Sequence, residues 1–174
     1  MRFGGANHLL KGLAGKFDGH AHVFRADLPM IAGRRYTPDN DASFGAYAVL
    51  LRDHSLNGAL LVQPSFLGTD NSFLLEQLSA ANAMPDFVFR GVASLDPKTS
   101  MNEITDLSNA GIVGIRLNLV GGGARNFDMK PFDELLQNID SAGWHVELHC
   151  EGPLLPPLLG ALLRRCETVV IDHL

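Results

Sequence analysis

Short runs rich in apolar and β-branched residues recur along this chain, most of them followed by a longer helical pattern. That alternation constrains the fold more than any other feature. The strand candidates are Lys16–Phe24, Ala59–Gln63, Val88–Ser94, Gly114–Asn118, His145–Cys150 and Val169–Asp172. Most show little polar alternation, as parallel strands covered on both faces do. Helical candidates with apolar residues near a 3.6 spacing lie between them at Ser43–His54, Ser72–Ala83, Met101–Ala110, Pro131–Ala142 and Pro153–Arg165. From the second strand onward the strand starts fall about 24–31 residues apart, the repeat of a βα unit.

The punctuation between elements agrees. Ser100-Met101-Asn102-Glu103 has the form of a capping box, in which Ser100 accepts from the Glu103 amide and the Glu103 carboxylate reaches back. Pro131 and Pro153 suit the first turn of a helix, where the missing N–H costs nothing. Asn57-Gly58, Gly111 and Gly143 follow helix ends and read as left-handed caps.

A repeated βα unit leaves two architectures, the doubly wound sheet and the (β/α)8 TIM-type barrel. A dinucleotide-binding sheet carries G-x-G-x-x-G after its first strand. This first strand ends in Asp18-Gly19-His20-Ala21-His22, and Gly121-Gly122-Gly123 lacks the fingerprint spacing. The barrel is therefore expected, with residues 1–174 forming one domain of about its first six βα units and residues 1–15 an N-terminal extension. A full barrel has eight units in roughly 250 residues, so strands 7 and 8 are expected beyond Leu174. Without them, the apolar edge strands around Phe17, Val23, Val169 and Ile171 would favour homo-oligomers or aggregation through open barrel edges, and the 174-residue chain alone would be inactive.

Composition excludes several classes of partner. With 14 Lys+Arg against 19 Asp+Glu and no basic run, neither nucleic acid nor an anionic membrane is expected. No apolar stretch is long enough for a membrane span, and residues 1–16 lack the long apolar core of a secretion signal. Two cysteines, Cys150 and Cys166, lack C-x-x-C spacing and make no disulfide scaffold, which points to a reducing cytoplasmic location.

Chemistry concentrates at the C-terminal ends of the strand candidates. His20 and His22 stand two apart on one strand and so share a face; in a barrel that face is the interior near the catalytic rim. His149 lies near the end of the fifth strand and His173 at the end of the sixth. Imidazoles gathered there would bind a first-row ion, zinc or manganese. The plain alternative for each is a histidine satisfied within the core. Asp18 and Asp172 precede histidines and could orient them; by alternation Asp18 faces the His20 side.

Arg116 is a charge inside an apolar strand, suited either to gripping a carboxylate bidentately or to a structural ion pair. The long loop Arg25–Ala42, with Arg34-Arg35-Tyr36 at its centre, suits a lid or a carboxylate-binding segment. Ser65 is placed to hydrogen-bond a substrate but lacks a Gly-x-Ser-x-Gly setting, so a serine hydrolase is not expected, while Thr69 or Asp70 reads as a helix cap.

Asp18-Gly19-His20-Ala21-His22-Val23-Phe24, Arg35-Tyr36-Thr37-Pro38, Gln63 to Asn71, Gly114-Ile115-Arg116-Leu117-Asn118, Ala142-Gly143-Trp144-His145-Val146 and Val170-Ile171-Asp172-His173 together resemble the amidohydrolase-related family. The likeness is nearest to its 2-pyrone-4,6-dicarboxylate lactonase branch and runs from about residue 16 to the last residue. The resemblance implies a (β/α)8 hydrolase, with His20, His22 and His173 matching the catalytic histidines of strands 1 and 6. It also implies substrate binding by Arg116 and Tyr36, with Ser65, Asn118 and Arg125 as further substrate-binding candidates. That branch works without a metal and has Tyr where this chain has His149, whereas His at that place is a metal ligand in the wider superfamily. The branch also has a second arginine where this chain has Gly121-Gly122-Gly123, with Arg125 slightly displaced. The strand-8 aspartate of the family has no counterpart up to Leu174.

The expected function is opening of a lactone or similar ester of a small carboxylic acid by metal-activated water. His20, His22 and His149 would hold one divalent ion, and His173 would orient water or stabilise the oxyanion. The alternatives are a metal-independent lactonase, a decarboxylase of an aromatic or unsaturated acid, and an inactive binding or structural remnant.

Overall fold

The structure is a computed structural model and describes residues 15–121 and 127–173. Six strands and five α-helices alternate along these residues: β1 Phe17–Ala21, α1 Phe44–Asp53, β2 Gly58–Val62, α2 Ser72–Asn82, β3 Val88–Ala93, α3 Met101–Asn109, β4 Ile112–Asn118, α4 Asp133–Ser141, β5 His145–His149, α5 Leu155–Leu162 and β6 Val169–Ile171. These are six consecutive strand repeats of a (β/α)8 TIM-type barrel, in the expected order. Among the described residues, no helix is long and apolar enough to cross a membrane.

The chain divides into two compact units. In the first, β1, β2 and β3 lie side by side and parallel. Its core is built where α1 and α2 cover the strands, from Ala48, Leu51, Leu61, Leu74, Leu78 and Phe89, all at most 4% exposed. Burial of each leucine or phenylalanine side chain among them is worth about 1.5–3 kcal/mol before chain entropy is counted. Gly91 is part of this packing, since a Cβ there would stand 2.5 Å from Ile112 Cδ1 and 2.7 Å from Leu78 Cδ1.

In the second unit β4, β5 and β6 pair in parallel, with Gly114 opposite His145, Arg116 opposite Glu147, Asn118 opposite His149, and Glu147 opposite Val170. This register puts Arg116, Glu147 and His149 on one face of the strands, while Ile115, Val146 and Leu148 are buried on the other. Ile104, Leu135, Leu136, Ile139 and Leu162 complete the core, and Trp144 donates its Nε1–H to Ser108 Oγ at 3.0 Å.

Most of the expected caps form. The Glu103 N–H donates to Ser100 Oγ at 3.3 Å, and the Ser100 N–H donates to Glu103 Oε2 at 2.8 Å, the reciprocal pair of a capping box. Gly143 takes φ 71° and ends α4, with its N–H on the Asp140 carbonyl and that of Trp144 on the Ile139 carbonyl. The cap of α1 differs from expectation. Ser55, at φ 55°, takes the left-handed position, its N–H on the Arg52 carbonyl and that of Leu56 on the Leu51 carbonyl. Gly58 instead opens β2, where a Cβ would fall 1.8 Å from the Val88 carbonyl oxygen; close backbone approach is its reason. Pro131 and Pro153 sit in 3₁₀ turns, Lys130–Phe132 and Gly152–Leu154, which lead into α4 and α5.

Candidate functional site

The first unit presents a pair of imidazoles at the end of β1. His20 Nε2 and His22 Nε2 are 3.2 Å apart, with the rings edge to face at 4.8 Å between centroids. His22 Nδ1 lies 2.7 Å from the Val62 carbonyl oxygen at the end of β2. A carbonyl only accepts, so Nδ1 carries a proton, which in the neutral ring leaves the lone pair on Nε2. Two nitrogens bound to one zinc at its usual bond length stand about 3.0–3.4 Å apart, so the spacing of this pair fits a divalent ion. The backbone carbonyl behind His22 is the kind of partner that orients metal-binding histidines.

Asp18 does not follow the alternation expected of it. Along β1 the pairing advances from Asp18 to Ala21 while β2 advances from Ala59 to Leu61, three residues against two. This irregularity switches sides between Asp18 and the histidines. The Asp18 carboxylate accepts from the Tyr47 hydroxyl of α1 at 2.8 Å and from the His20 N–H at 3.1 Å. Burial first, and the Asp18 contact second, push the Tyr47 phenol well above its ordinary range.

In the loop after β1, Tyr36 is 55% exposed, its ring 6.1 Å from that of Phe66. Arg34 is knitted into the loop by bonds to Thr37 Oγ1 and the Ile31 carbonyl. Ser65 is exposed at the start of the 3₁₀ turn Ser65–Leu67 after β2. The residues that hold this βα loop are the buried Gln63 and Asn71. Gln63 Nε2 donates to the Asp70 carbonyl at 2.7 Å, and Asn71 bonds the Ser94 backbone through both Nδ2 and Oδ1. The N-cap of α2 is Asn71 and not the expected Thr69 or Asp70; the Asp70 carboxylate, one residue earlier, accepts from the Ser72 N–H at 3.1 Å, and its Ser72 bonds hold it below the usual carboxylate range.

The second unit gathers four groups at the ends of β4, β5 and β6. Arg116 Nε donates to Asp172 Oδ2 at 2.7 Å, and Arg116 Nη2 lies 3.2 Å from His149 Nδ1. The Arg116 and Asp172 side chains are 5% and 4% exposed. Of the two alternatives for Arg116, an ion pair is formed, and its partner is Asp172. His173 Nε2 stands 3.3 Å from the other Asp172 oxygen, and the His149 and His173 rings are 4.7 Å apart. His173 adopts φ 53°, a conformation in which histidine is enriched among non-glycine residues and which recurs at functional positions. Asn118, opposite His149, has its Oδ1 buried without a hydrogen bond among the described residues. Arg125 lies outside the described residues.

Sequence reasoning passed over Glu147. It is 1% exposed on the Arg116 face, and its Oε1 is 3.6 Å from Nε2 of the equally buried His145. The signal was present, since an acid within His145-Val146-Glu147-Leu148-His149 meets the criterion that singles out Arg116. The neighbouring thiol of Cys150 is raised by burial and by Glu151, the opposite of what a thiolate nucleophile needs.

Comparison with known proteins identifies the family. Residues 17–174 match the Amidohydrolase family. The chain is 34% identical over 167 residues to a 2-pyrone-4,6-dicarboxylate hydrolase of Comamonas testosteroni, covering 92% of this chain and 52% of that protein. It superposes with a TM-score of 0.81 and 37% identity on a probable 2-pyrone-4,6-dicarboxylic acid hydrolase of Acinetobacter baumannii solved with citric acid bound, covering 91% of this chain and 58% of that one. A putative enzyme of the same description from Pseudomonas putida gives 0.76 and 39%, covering 91% and 57%. The chain thus spans little more than half the length of these relatives. With its βα repeats and its histidines at strand ends, the chain belongs to the amidohydrolase family.

Proposed function

We propose that this chain supplies the histidine-bearing part of a hydrolase that opens a lactone or similar ester of a small carboxylic acid with metal-activated water. The observation that carries the reading is the His20–His22 pair, with Nε2 atoms 3.2 Å apart and His22 oriented by the Val62 carbonyl. Similarity to hydrolases of a pyrone dicarboxylate supports the substrate class. His20 and His22 would hold the ion, zinc or manganese, which when bound acidifies water and polarises a carbonyl. Arg116 and Tyr36 recognise substrate carboxylate, Ser65 and Asn118 add hydrogen bonds, and His173 steadies the attacking water or the oxyanion. Each of these residues stands on a strand end or in the loop after one, the place where (β/α)8 enzymes carry their chemistry.

A second reading keeps the hydrolase without the metal. The 3.2 Å His20–His22 contact is also a hydrogen bond in its own right, and imidazoles and Arg116 could polarise a lactone by donation alone. Turnover of lactones, 2-pyrone-4,6-dicarboxylate among them, separates the two when assayed after chelation and after reloading with zinc or manganese. Loss and recovery of hydrolysis supports the metal reading. Undiminished hydrolysis in chelator supports the second, and carbon dioxide release without hydrolysis contradicts both.

A further inference from the structure

His22 and His149 are both strand-end imidazoles, yet their Nδ1 atoms face groups of opposite character. His22 Nδ1 faces a carbonyl oxygen at 2.7 Å, which only accepts. His149 Nδ1 faces Arg116 Nη2 at 3.2 Å, and a guanidinium only donates. It also does not lose its proton at any ordinary pH. The nitrogen opposite it must therefore be the bare one. A doubly protonated His149 would oppose N–H to N–H and cation to cation. Of the two neutral tautomers, the one with its hydrogen on Nε2 fits this contact.

The arginine has no easy way to turn aside. Its Nε is bound to Asp172 Oδ2 at 2.7 Å, and both side chains are at most 5% exposed. Moving the guanidinium would take the cation away from a buried carboxylate. Pairing of Arg116 with Glu147 and of Asn118 with His149 along β4 and β5 keeps the two side chains on one face whatever the rotamers do.

We propose that Arg116, anchored by Asp172, locks His149 in its Nε2–H tautomer, so that His149 offers an N–H to an anionic substrate oxygen and is not a third metal ligand. A metal-bound nitrogen must give up its proton, and with Nδ1 committed to Arg116 the ring has no lone pair left to offer. Arg116 is in this respect a positioning residue: it acts on the reaction through His149. The term substrate rests on the hydrolase reading above; the tautomer does not.

The test is the long-range proton–nitrogen correlation spectrum of the ¹⁵N-histidine-labelled protein, with the His149 signals identified by their loss in His149→Asn. In metal-free protein the expected pattern is a lone-pair-type Nδ1 and a protonated-type Nε2. A protonated Nδ1, or equal population of the two tautomers, overturns the proposal. One equivalent of zinc is expected to displace the His20 and His22 nitrogens and leave the His149 pattern in place; a metal-shifted His149 Nε2 also overturns it. If zinc moves neither His20 nor His22, the metal reading fails, while the tautomer still stands or falls on the metal-free spectrum. Arg116→Met should release the lock and shift His149 toward a tautomer mixture. An unchanged pattern in folded Arg116→Met would show that the arginine is not the cause.

Discussion

Arg116 and Asp172, 56 positions apart in the chain, meet as a buried ion pair with Nε 2.7 Å from the carboxylate oxygen. An ion pair out of contact with water gains little over an apolar replacement, but losing one partner leaves a bare charge. Arg116→Met should therefore cost about 3–5 kcal/mol of stability, and the double substitution Arg116→Met with Asp172→Leu should recover much of that loss. Urea denaturation of the single and double variants reads both numbers. A loss below about 1 kcal/mol in the single variant would mean that the pair is not shielded as described.

Tyr47 and Asp18 make a pH-dependent contribution whose sign follows from the raised phenol. Above the ordinary tyrosine value of 10.0, the unfolded chain gives up its phenolic proton while the folded chain keeps it. The contribution is therefore whole below about pH 10 and declines as pH rises beyond it. Tyr47→Phe should lower stability near neutral pH by about 1–2 kcal/mol through loss of the bond to Asp18. It should also flatten the alkaline decline. Equal alkaline slopes for the two proteins in thermal melts would refute the assignment.

Two glycine-to-alanine substitutions should act in opposite directions. At Gly114 a Cβ would stand 2.6 Å from His145 Cε1 and within 2.8 Å of both ring nitrogens, a clash inside a packed layer. Gly114→Ala should cost about 1–3 kcal/mol. Gly45 in α1 has nothing within 4 Å of the added atom, so Gly45→Ala should stabilise by about 0.4–1 kcal/mol. Thermal melts compare the two, and a neutral Gly114→Ala would show that His145 does not fill that space.

The βα order was readable because hydrophobic period and caps are local properties: β3 and the capping box at Ser100–Glu103 fall where periodicity and residue type put them. Features set by distant groups were not readable. Asp18 faces away from its expected side because of a pairing irregularity against β2, and Gly19 within that stretch is its one local sign. Asn57-Gly58 reads as the left-handed cap of α1, while Ser55 adopts that turn itself. Arg116 left two alternatives open because its partner lies two strands away in the chain. The tautomers of His22 and His149 depend on what faces Nδ1, and sequence spacing carries no record of that.

The account rests most directly on the His20–His22 pair as the seat of a divalent ion. Calorimetric titration of chelator-treated protein with zinc, beside the His20→Ala and His22→Ala variants, tests it. One ion per chain is expected, with binding lost in either variant while both keep the wild-type melting profile. Absence of stoichiometric binding, or binding undiminished by the substitutions, would contradict the account.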